Sequence, residues 1–317
     1  MKILITGAVG FLGFSLADKL LKKTNFKIYG IDNLNQYYSP KLKKKRLNIL
    51  KSRKNFSFFK IDLKHKEKIN NLFKKIKFDM VFHFAAQAGV RYTVSHPEEF
   101  VKNNIDGFFN LLDCLKFSKV DKFFYASSSS VYGNLKKFPV NEKADLKPRN
   151  IYGLSKKFNE ELIKLYSNNK IKFIGLRFFT VYGEWGRPDM LILKFLNCAK
   201  KKKTFYLNNS GNHWRDFTYI EDVINILIKL MRKHFKSNEI FNICSSRPVH
   251  VGQVVNYISK KINFKKVNIV KKYDFEVLKT HGSNKKVNNY VNYKKYSNLY
   301  KNIDKIIDWH EKNYKFI

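Results

Sequence analysis

The stretch Lys2–Lys23, KILITGAVGFLGFSLADKLLKK, decides the fold. Lys2–Thr6 is a short Ile-rich apolar run, which reads as a strand buried on both faces. Gly7, Gly10 and Gly13 follow at three-residue spacing. From Phe11 onward apolar residues recur at helical spacing, with Lys at the carboxyl end. Strand, glycine turn and helix together form the setting a phosphate-binding turn needs. Gly7 permits the tight turn, Gly10 lets backbone approach a pyrophosphate, and Gly13 lets the helix pack on the strand. Phe11 and Leu12 open the helix, whose amino terminus offers free N–H groups to an anion. A glycine triplet alone is weak; this context makes it strong.

The same alternation continues outward. Lys27–Ile31 reads as a second strand ending at Asp32, with Asn33 after it. An acid about twenty residues past the glycines suits the hydroxyls of an adenosine ribose and repels a 2′-phosphate, which predicts NAD over NADP. Residues 56–61 (FSFFKI) read as a strand leading to Asp62 and Leu63, placed to flank the adenine. Residues 78–84 (FDMVFHF) form the next strand, and Ala85, Ala86 and Gln87 after it let backbone lie against a cofactor. Residues 98–117 read as one long amphipathic helix, and 122–129 as a strand entering the run Ser127–Ser130, whose hydroxyls are expected to face the ligand crevice. Strands alternating with helices imply a Rossmann-type, doubly wound parallel sheet with its ligand at the strand carboxyl ends.

Tyr152 and Lys156 lie at i and i+4 in YGLSK and share one helical face. A phenol with a pKa near ~10 is a poor base at neutral pH. An ammonium nearby stabilises the phenolate and lowers that value. The expectation is that Tyr152 takes a proton from a sugar hydroxyl as hydride leaves its carbon for a nicotinamide, with a serine hydroxyl on the same oxygen.

Taken together, GAVGFLG (7–13), ASSSSVYGN (126–134) and YGLSK (152–156) resemble the extended short-chain dehydrogenase/reductase family. Within it the chain is similar to the NAD-dependent nucleotide-sugar epimerases. AAQAGVRY (85–92), LRFFTVYGEWGRPDM (176–190) and RDFTYIEDV (215–223) resemble the UDP-glucuronate 4-epimerases. This resemblance covers nearly the whole chain and weakens after about residue 265. It places the catalytic hydroxyl on Ser128, four residues before the Tyr of VYG, the acid/base on Tyr152 and its partner on Lys156. Asn104 matches the family Asn on the nicotinamide side.

Related dehydratases carry acidic groups in the strand-end motif, and related decarboxylases a Glu two residues after the catalytic hydroxyl; here those positions are Ser129 and Ser130. Elimination of water needs an acid and a base, so the serines favour epimerisation. Thr180 replaces the Asn of galactose-type epimerases and leaves room and a donor for a sugar carboxylate. Arg215 resembles the pyrophosphate-binding Arg, a match to bidentate recognition of phosphate. FEVLKT (275–280) resembles the GDVxxT element that holds the nucleotide ribose, with Phe275 for Gly and Glu276 for Asp. Arg91 and Arg187 are candidates for pairing with a sugar carboxylate, neither fixed by spacing. The resemblance also implies a homodimer with helices near 98–117 and 151–168 at its contact.

Over 317 residues the formal net charge is +38, which invites a nucleic-acid reading. Only nine of the 63 basic residues are Arg, and the chain is also rich in Asn, Ile and Phe. All four enriched types have A/T-rich codons, so nucleotide bias accounts for the charge. The Lys runs at 41–45, 74–77, 200–203 and 265–272 read as solvated faces. Cys114, Cys198 and Cys244 are scattered and odd in number, which argues against disulfides or a metal site and for a cytoplasmic setting. The start resembles a secretory segment, but its glycine spacing reads as fold. No run of eighteen apolar residues appears, so no membrane span is expected.

The expected enzyme is an NAD-dependent UDP-sugar 4-epimerase. UDP-glucuronate is the first substrate choice, with no metal, nucleic-acid or membrane partner. The expected layout is an NAD-binding domain over 1–175, joined by segments near 215–245, and a smaller α/β nucleotide-sugar domain over 176–317. Open alternatives are a UDP-N-acetylhexosamine 4-epimerase, a UDP-glucuronate decarboxylase, or a non-enzymatic NAD- or polyanion-binding protein.

Overall fold

In the computed structural model, which describes residues 1–116, 118–166, 170–271 and 276–317, the opening stretch folds as β1 (Lys2–Thr6) and α1 (Phe11–Lys23). Then come β2 (Lys27–Asp32), α2 (Pro40–Lys51), β3 (Phe56–Lys60), α3 (Lys66–Lys75) and β4 (Met80–His83). Two short helices, α4 (Tyr92–Ser95) and α5 (Pro97–Phe100), lead through a π-helical turn (Val101–Asp106) into α6 (Gly107–Leu115), where one uninterrupted helix was expected. β5 (Lys122–Ser128), α7 (Ile151–Tyr166), β6 (Lys172–Phe178) and β7 (Thr180–Tyr182) follow. The remaining elements are α8 (Leu191–Lys200), β8 (Phe205–Asn208), β9 (Trp214–Tyr219), α9 (Ile220–Met231), β10 (Glu239–Ile243), β11 (Pro248–His250), α10 (Val251–Lys261), β12 (Val267–Val270), α11 (Lys285–Val291) and α12 (Leu299–Asn313).

Among the described residues seven strands form one parallel sheet in the order β10-β6-β5-β4-β1-β2-β3. Strand β1 is the pivot: it pairs with β2 through Ile3–Ile28 and with β4 through Ile3–Met80, and the chain winds outward in both directions from it. This is the Rossmann-type, doubly wound arrangement, with a crevice at the carboxyl ends of β1 and β4. Helices cover both faces. On one, Ile3, Ile5, Phe82 and Phe124 pack with α1 and α9; on the other, Leu4, Val81 and Phe123 pack with α3 and α6. Ile3, Leu4 and Ile5 are fully buried, each such side chain contributing roughly 1.5–3 kcal/mol. Burial on both faces is why β1 reads as an unbroken apolar run rather than an alternating one.

Strand β10 returns late in sequence to the edge of this sheet, in register Ile240–Gly175 with β6. Strand β9 joins β7 and β11 in a separate three-stranded sheet, and β8 pairs with β12. Residues of β7, β8, β9, α8 and α10 line the crevice opposite the strand ends. No helix among the described residues is long and apolar enough to cross a membrane.

Candidate active site

Gly7 adopts φ +66°, a left-handed conformation open to glycine, and a Cβ on Gly13 would fall 2.1 Å from the Gly7 carbonyl oxygen. The turn therefore lies directly on the helix. α1 begins at Gly10 with no side-chain cap and no acid in its first turn, which leaves its amino terminus open to an anion. Asp32, at the carboxyl end of β2, accepts hydrogen bonds from the Leu34 N–H (2.8 Å) and the Val9 N–H (3.3 Å). Burial raises its pKa, against those two bonds and the charges of Lys43 and Arg46. Asn33 Nδ2 donates to Asp62 Oδ2 at 3.1 Å, joining the ends of β2 and β3.

The turn opens into a cavity of about 1070 Å³. Its wall carries Gly7, Gly10, Phe11, Leu12, Gly13, Asp32, Asn33, Asp62, Leu63, Ala85, Ala86 and Gln87 on the glycine side. Ser127–Ser130, Tyr152 and Lys156 stand in the middle. Arg91, Thr180, Arg187, Arg215 and Glu276 stand on the far side. Phe275 lies outside the described residues.

Ser128 ends β5 and accepts a hydrogen bond from the Ser130 N–H at 3.1 Å. Tyr152 opens α7, where Asn150 Oδ1 caps the first turn by accepting from the Gly153 N–H at 2.8 Å. Burial pushes the Tyr152 phenol above its ordinary value; Arg187 opposes most strongly, and a hydrogen bond with Ser128 adds to it. Lys156 lies 6.0 Å from the Tyr152 ring centre, buried, with its ammonium making no hydrogen bond among the described residues. Burial pulls that ammonium down to about 8. The ammonium is thus held near the phenol without a direct hydrogen bond between the two, and Arg187 is a second cation acting on Tyr152.

That buried ammonium has a stability consequence. In the cofactor-free protein its folded pKa lies below its unfolded value near 10.5. Between about 8 and 10.5 the unfolded chain binds more protons, so this group makes stability rise with pH. Its cost is fully present below 8. In protein stripped of NAD, Lys156→Met is expected to melt higher than wild type at pH 7 and to lose that advantage by pH 10; equal melting temperatures at both pH values would contradict a desolvated ammonium.

Two residues differ from expectation. Asn104 lies in the π-helical turn but behind the cavity wall, only 1% exposed. Its Oδ1 accepts from the Gln87 N–H (2.7 Å), and its Nδ2 donates to the Gln87 carbonyl (3.0 Å) and Ser155 Oγ (3.1 Å). These bonds brace the 85–88 wall against α7. Ser127 commits its hydroxyl to Glu160 Oε1 (2.5 Å) instead of the crevice. Neighbouring strand residues point to opposite faces.

On the far side Arg91 donates from Nε (3.0 Å) and Nη2 (2.8 Å) to Glu276 Oε1, which also accepts from Asn208 Nδ2 (2.9 Å). Arg215 Nη1 donates to the Trp214 carbonyl at 2.9 Å, and burial lowers its guanidinium to about 10. Arg187 pairs with Asp189 two residues on.

The Lys run 41–45 is not uniformly a solvated face. Lys43 is 5% exposed and lines the cavity, and Arg46 is fully buried. In α2 the buried positions Leu42, Lys43, Arg46, Leu47 and Leu50 form one helical face. Helical phase was the available signal, and the surrounding lysines obscured it.

A phosphate-binding turn at the pivot of a doubly wound sheet, opposite a Ser, Tyr and Lys set, defines an enzyme of the dinucleotide-dependent short-chain dehydrogenase type. Residues 3–244 match the NAD dependent epimerase/dehydratase family, and the chain belongs to that family. It is therefore an NAD-dependent enzyme. The chain is 38% identical to an uncharacterized protein of Methanocaldococcus jannaschii, covering 98% of this chain and 96% of that one. It is 35% identical to UDP-glucuronate 4-epimerase 4 of Arabidopsis thaliana, over 97% of this chain and 75% of the relative. The crystal structure of UDP-glucuronic acid 4-epimerase from Bacillus cereus with UDP-glucuronic acid and NAD superposes with a TM-score of 0.92 at 30% identity, covering 98% of this chain and 99% of that one.

Proposed function

We propose that this enzyme is a UDP-sugar 4-epimerase and that its sugar is glucuronate, converted to galacturonate through a 4-keto sugar. The observation that carries the reading is the convergence of Ser128, Tyr152, Lys156 and Arg187 on one cavity behind the glycine turn. The likeness to characterised UDP-glucuronate 4-epimerases supports it.

The open turn at Gly7–Gly13, the Asp32 carboxylate and the unpartnered Lys156 ammonium fit a dinucleotide: backbone N–H groups for its pyrophosphate, an acceptor for its adenosine ribose and a donor for its other ribose. The chemistry NAD would supply when bound is acceptance of a hydride from the sugar C4 and its return to the opposite face of that carbon. Tyr152 exchanges the O4 proton, with the Ser128 hydroxyl holding the same oxygen. Arg187 lowers the phenol toward a useful range. Arg215 serves the nucleotide pyrophosphate, and Glu276, held by Arg91 and Asn208, the nucleotide ribose.

A 4-keto uronate is a β-keto acid and loses CO₂ if its carboxylate stands across the ketone plane. Ser128, Ser129 and Thr180 would hold the carboxylate out of that orientation, with Ser130 where decarboxylases carry Glu. Ser130→Glu is expected to release more CO₂ than wild type, read from labelled UDP-glucuronate; no increase refutes this reading of the position. The substrate itself is tested by NMR on a panel of UDP-sugars. UDP-galacturonate forming from UDP-glucuronate is expected. Turnover of UDP-N-acetylglucosamine in its place would overturn the choice of sugar.

The functional unit proposed is a homodimer. Val101 and Phe109 on the helical run 97–115 are 46% and 41% exposed, and Leu154, Phe158 and Leu165 on α7 are 56%, 45% and 85% exposed. Such adjoining apolar side chains are costly against water and suit a second copy. The ends expected for these helices at Phe117 and Asn168 lie outside the described residues. Light scattering is expected to give twice the chain mass, falling to one chain mass in Leu154→Lys/Phe158→Glu.

A further inference from the structure

We propose that Tyr37 and Asp189 are positioning residues that hold the Arg187 guanidinium for an acidic sugar, and so determine preference for a uronate over a neutral hexose. This rests on the reading that the sugar carries a carboxylate. Tyr37 comes from the loop five residues past Asp32, while Arg187 and Asp189 lie in the loop before α8 on the opposite side of the cavity.

Asp189 is where the two loops meet. Its Oδ1 accepts from Arg187 Nε at 3.0 Å, and its Oδ2 accepts from Arg187 Nη2 at 2.5 Å and from the Tyr37 hydroxyl at 3.0 Å. Nε and Nη2 are thereby committed, and Nη1 is left as the guanidinium nitrogen without a hydrogen-bond partner among the described residues. The fork geometry of Arg makes this orientation rigid. Tyr37 is itself fixed: its ring meets Tyr92 edge-on at 4.9 Å, and the Arg187 guanidinium carbon lies 5.8 Å from its ring centre. One side chain thus touches both members of the ion pair.

The loop is also held upstream. Arg46, fully buried, donates to the carbonyls of Trp185 and Gly186 (3.0 Å for the latter), the two residues before Arg187. Its other amine donates to the Val9 carbonyl inside the glycine turn at 2.8 Å. The segment 37–46 therefore ties the dinucleotide turn to the loop bearing Arg187. Without the Tyr37 hydroxyl, Asp189 Oδ2 has Arg187 alone for a partner, and the orientation of Nη1 loosens.

The test is steady-state kinetics on the NAD-loaded enzyme. The KM for UDP-glucuronate is compared with the competitive inhibition constant of UDP-glucose, which has the same nucleotide and no sugar carboxylate. Tyr37→Phe is nearly isosteric, and Asp189→Asn keeps the shape of the pair. Each is expected to raise the KM for UDP-glucuronate roughly tenfold, the size of one hydrogen bond to a charged group. The UDP-glucose constant should stay within about twofold. Arg187→Gln tests the underlying reading: if it spares UDP-glucuronate as much as UDP-glucose, the carboxylate contact is refuted. If Arg187→Gln is selective but the Tyr37 and Asp189 variants shift both nucleotides equally, or neither, the positioning proposal is overturned. Melting temperatures separate selective loss from misfolding.

Discussion

Tyr152→Phe is expected to lower kcat by roughly 10²- to 10⁴-fold, the range of a lost general acid–base group. The substitution deletes one oxygen at the cavity wall and leaves the ring, which keeps its place beside Phe100, 6.2 Å away and edge-on. What disappears is the atom that interacts with Ser128 and responds to Arg187. Ser128 remains to hold the sugar oxygen but has no base to pass a proton to. In the proposed mechanism Tyr152 acts on the proton in flight rather than on the nucleotide, so the KM for the UDP-sugar is expected to move little. In initial-rate measurements with UDP-glucuronate, turnover within tenfold of wild type would remove Tyr152 from the mechanism. Burial raises the phenol, and Arg187 is the strongest force the other way. Arg187→Gln should therefore shift the ascending limb of the kcat–pH profile, which reports deprotonation of this base, to higher pH; the sign follows because removing a cation disfavours the phenolate.

The parts of this site that could be read from the sequence are those whose signals are local. A glycine turn between an apolar strand and an amphipathic helix spans about twenty residues. Tyr152 and Lys156 share a helical face by spacing alone, and the serine run sits at a strand end for the same kind of reason. Contacts between distant segments left no such trace. Arg91 and Glu276 are 185 positions apart and Arg46 and Gly186 are 140 apart; no periodicity couples them. Asn104 carries a family match but not the information that its partners are Gln87 and Ser155, so its place behind the wall was invisible. Lys43 and Arg46 were hidden differently. A chain with 63 basic residues makes every Lys run look like solvent-facing charge, and only the phase of the intervening leucines distinguishes the buried pair. The return of a segment near 215–245 was expected, but that EIFNI pairs with β6, in register Ile240–Gly175, is a long-range detail the strand alone does not reveal.

The second large effect lies beneath the serines. Glu160 and Arg177 form an ion pair with side chains 1% and 4% exposed, joined from Nε to Oε1 at 2.9 Å and from Nη2 to Oε2 at 2.7 Å. Glu160 stands on α7 two turns beyond Tyr152, and its Oε1 also accepts from Ser127, the neighbour of Ser128. Arg177 on β6 sits opposite Ser127 in the sheet and donates from Nη1 to the Tyr132 hydroxyl at 2.8 Å, which in turn donates to Asn242 at 2.6 Å. Removing one member leaves a charge in a dry interior, where the attraction that offset its desolvation is gone. Glu160→Ala is expected to destabilise the fold by about 3–5 kcal/mol, measured from the urea midpoint with NAD present. Replacing both, as Glu160→Leu with Arg177→Met, removes the orphaned charge and should recover a large part of that loss. Recovery stays incomplete, because Ser127 loses the acceptor of its hydroxyl, an unmet buried group costing about 1–3 kcal/mol, and Tyr132, still donating to Asn242, loses the bond it accepted from Arg177. A single variant losing under about 1 kcal/mol would mean that water reaches the pair. A double variant no better than Glu160→Ala would mean that the hydroxyls rather than the charges carry the network. Because the same carboxylate braces α7 against the end of β5, the recovered double variant is expected to remain slow: stability returns through the apolar core, while Ser128 and Tyr152 no longer share a rigid support.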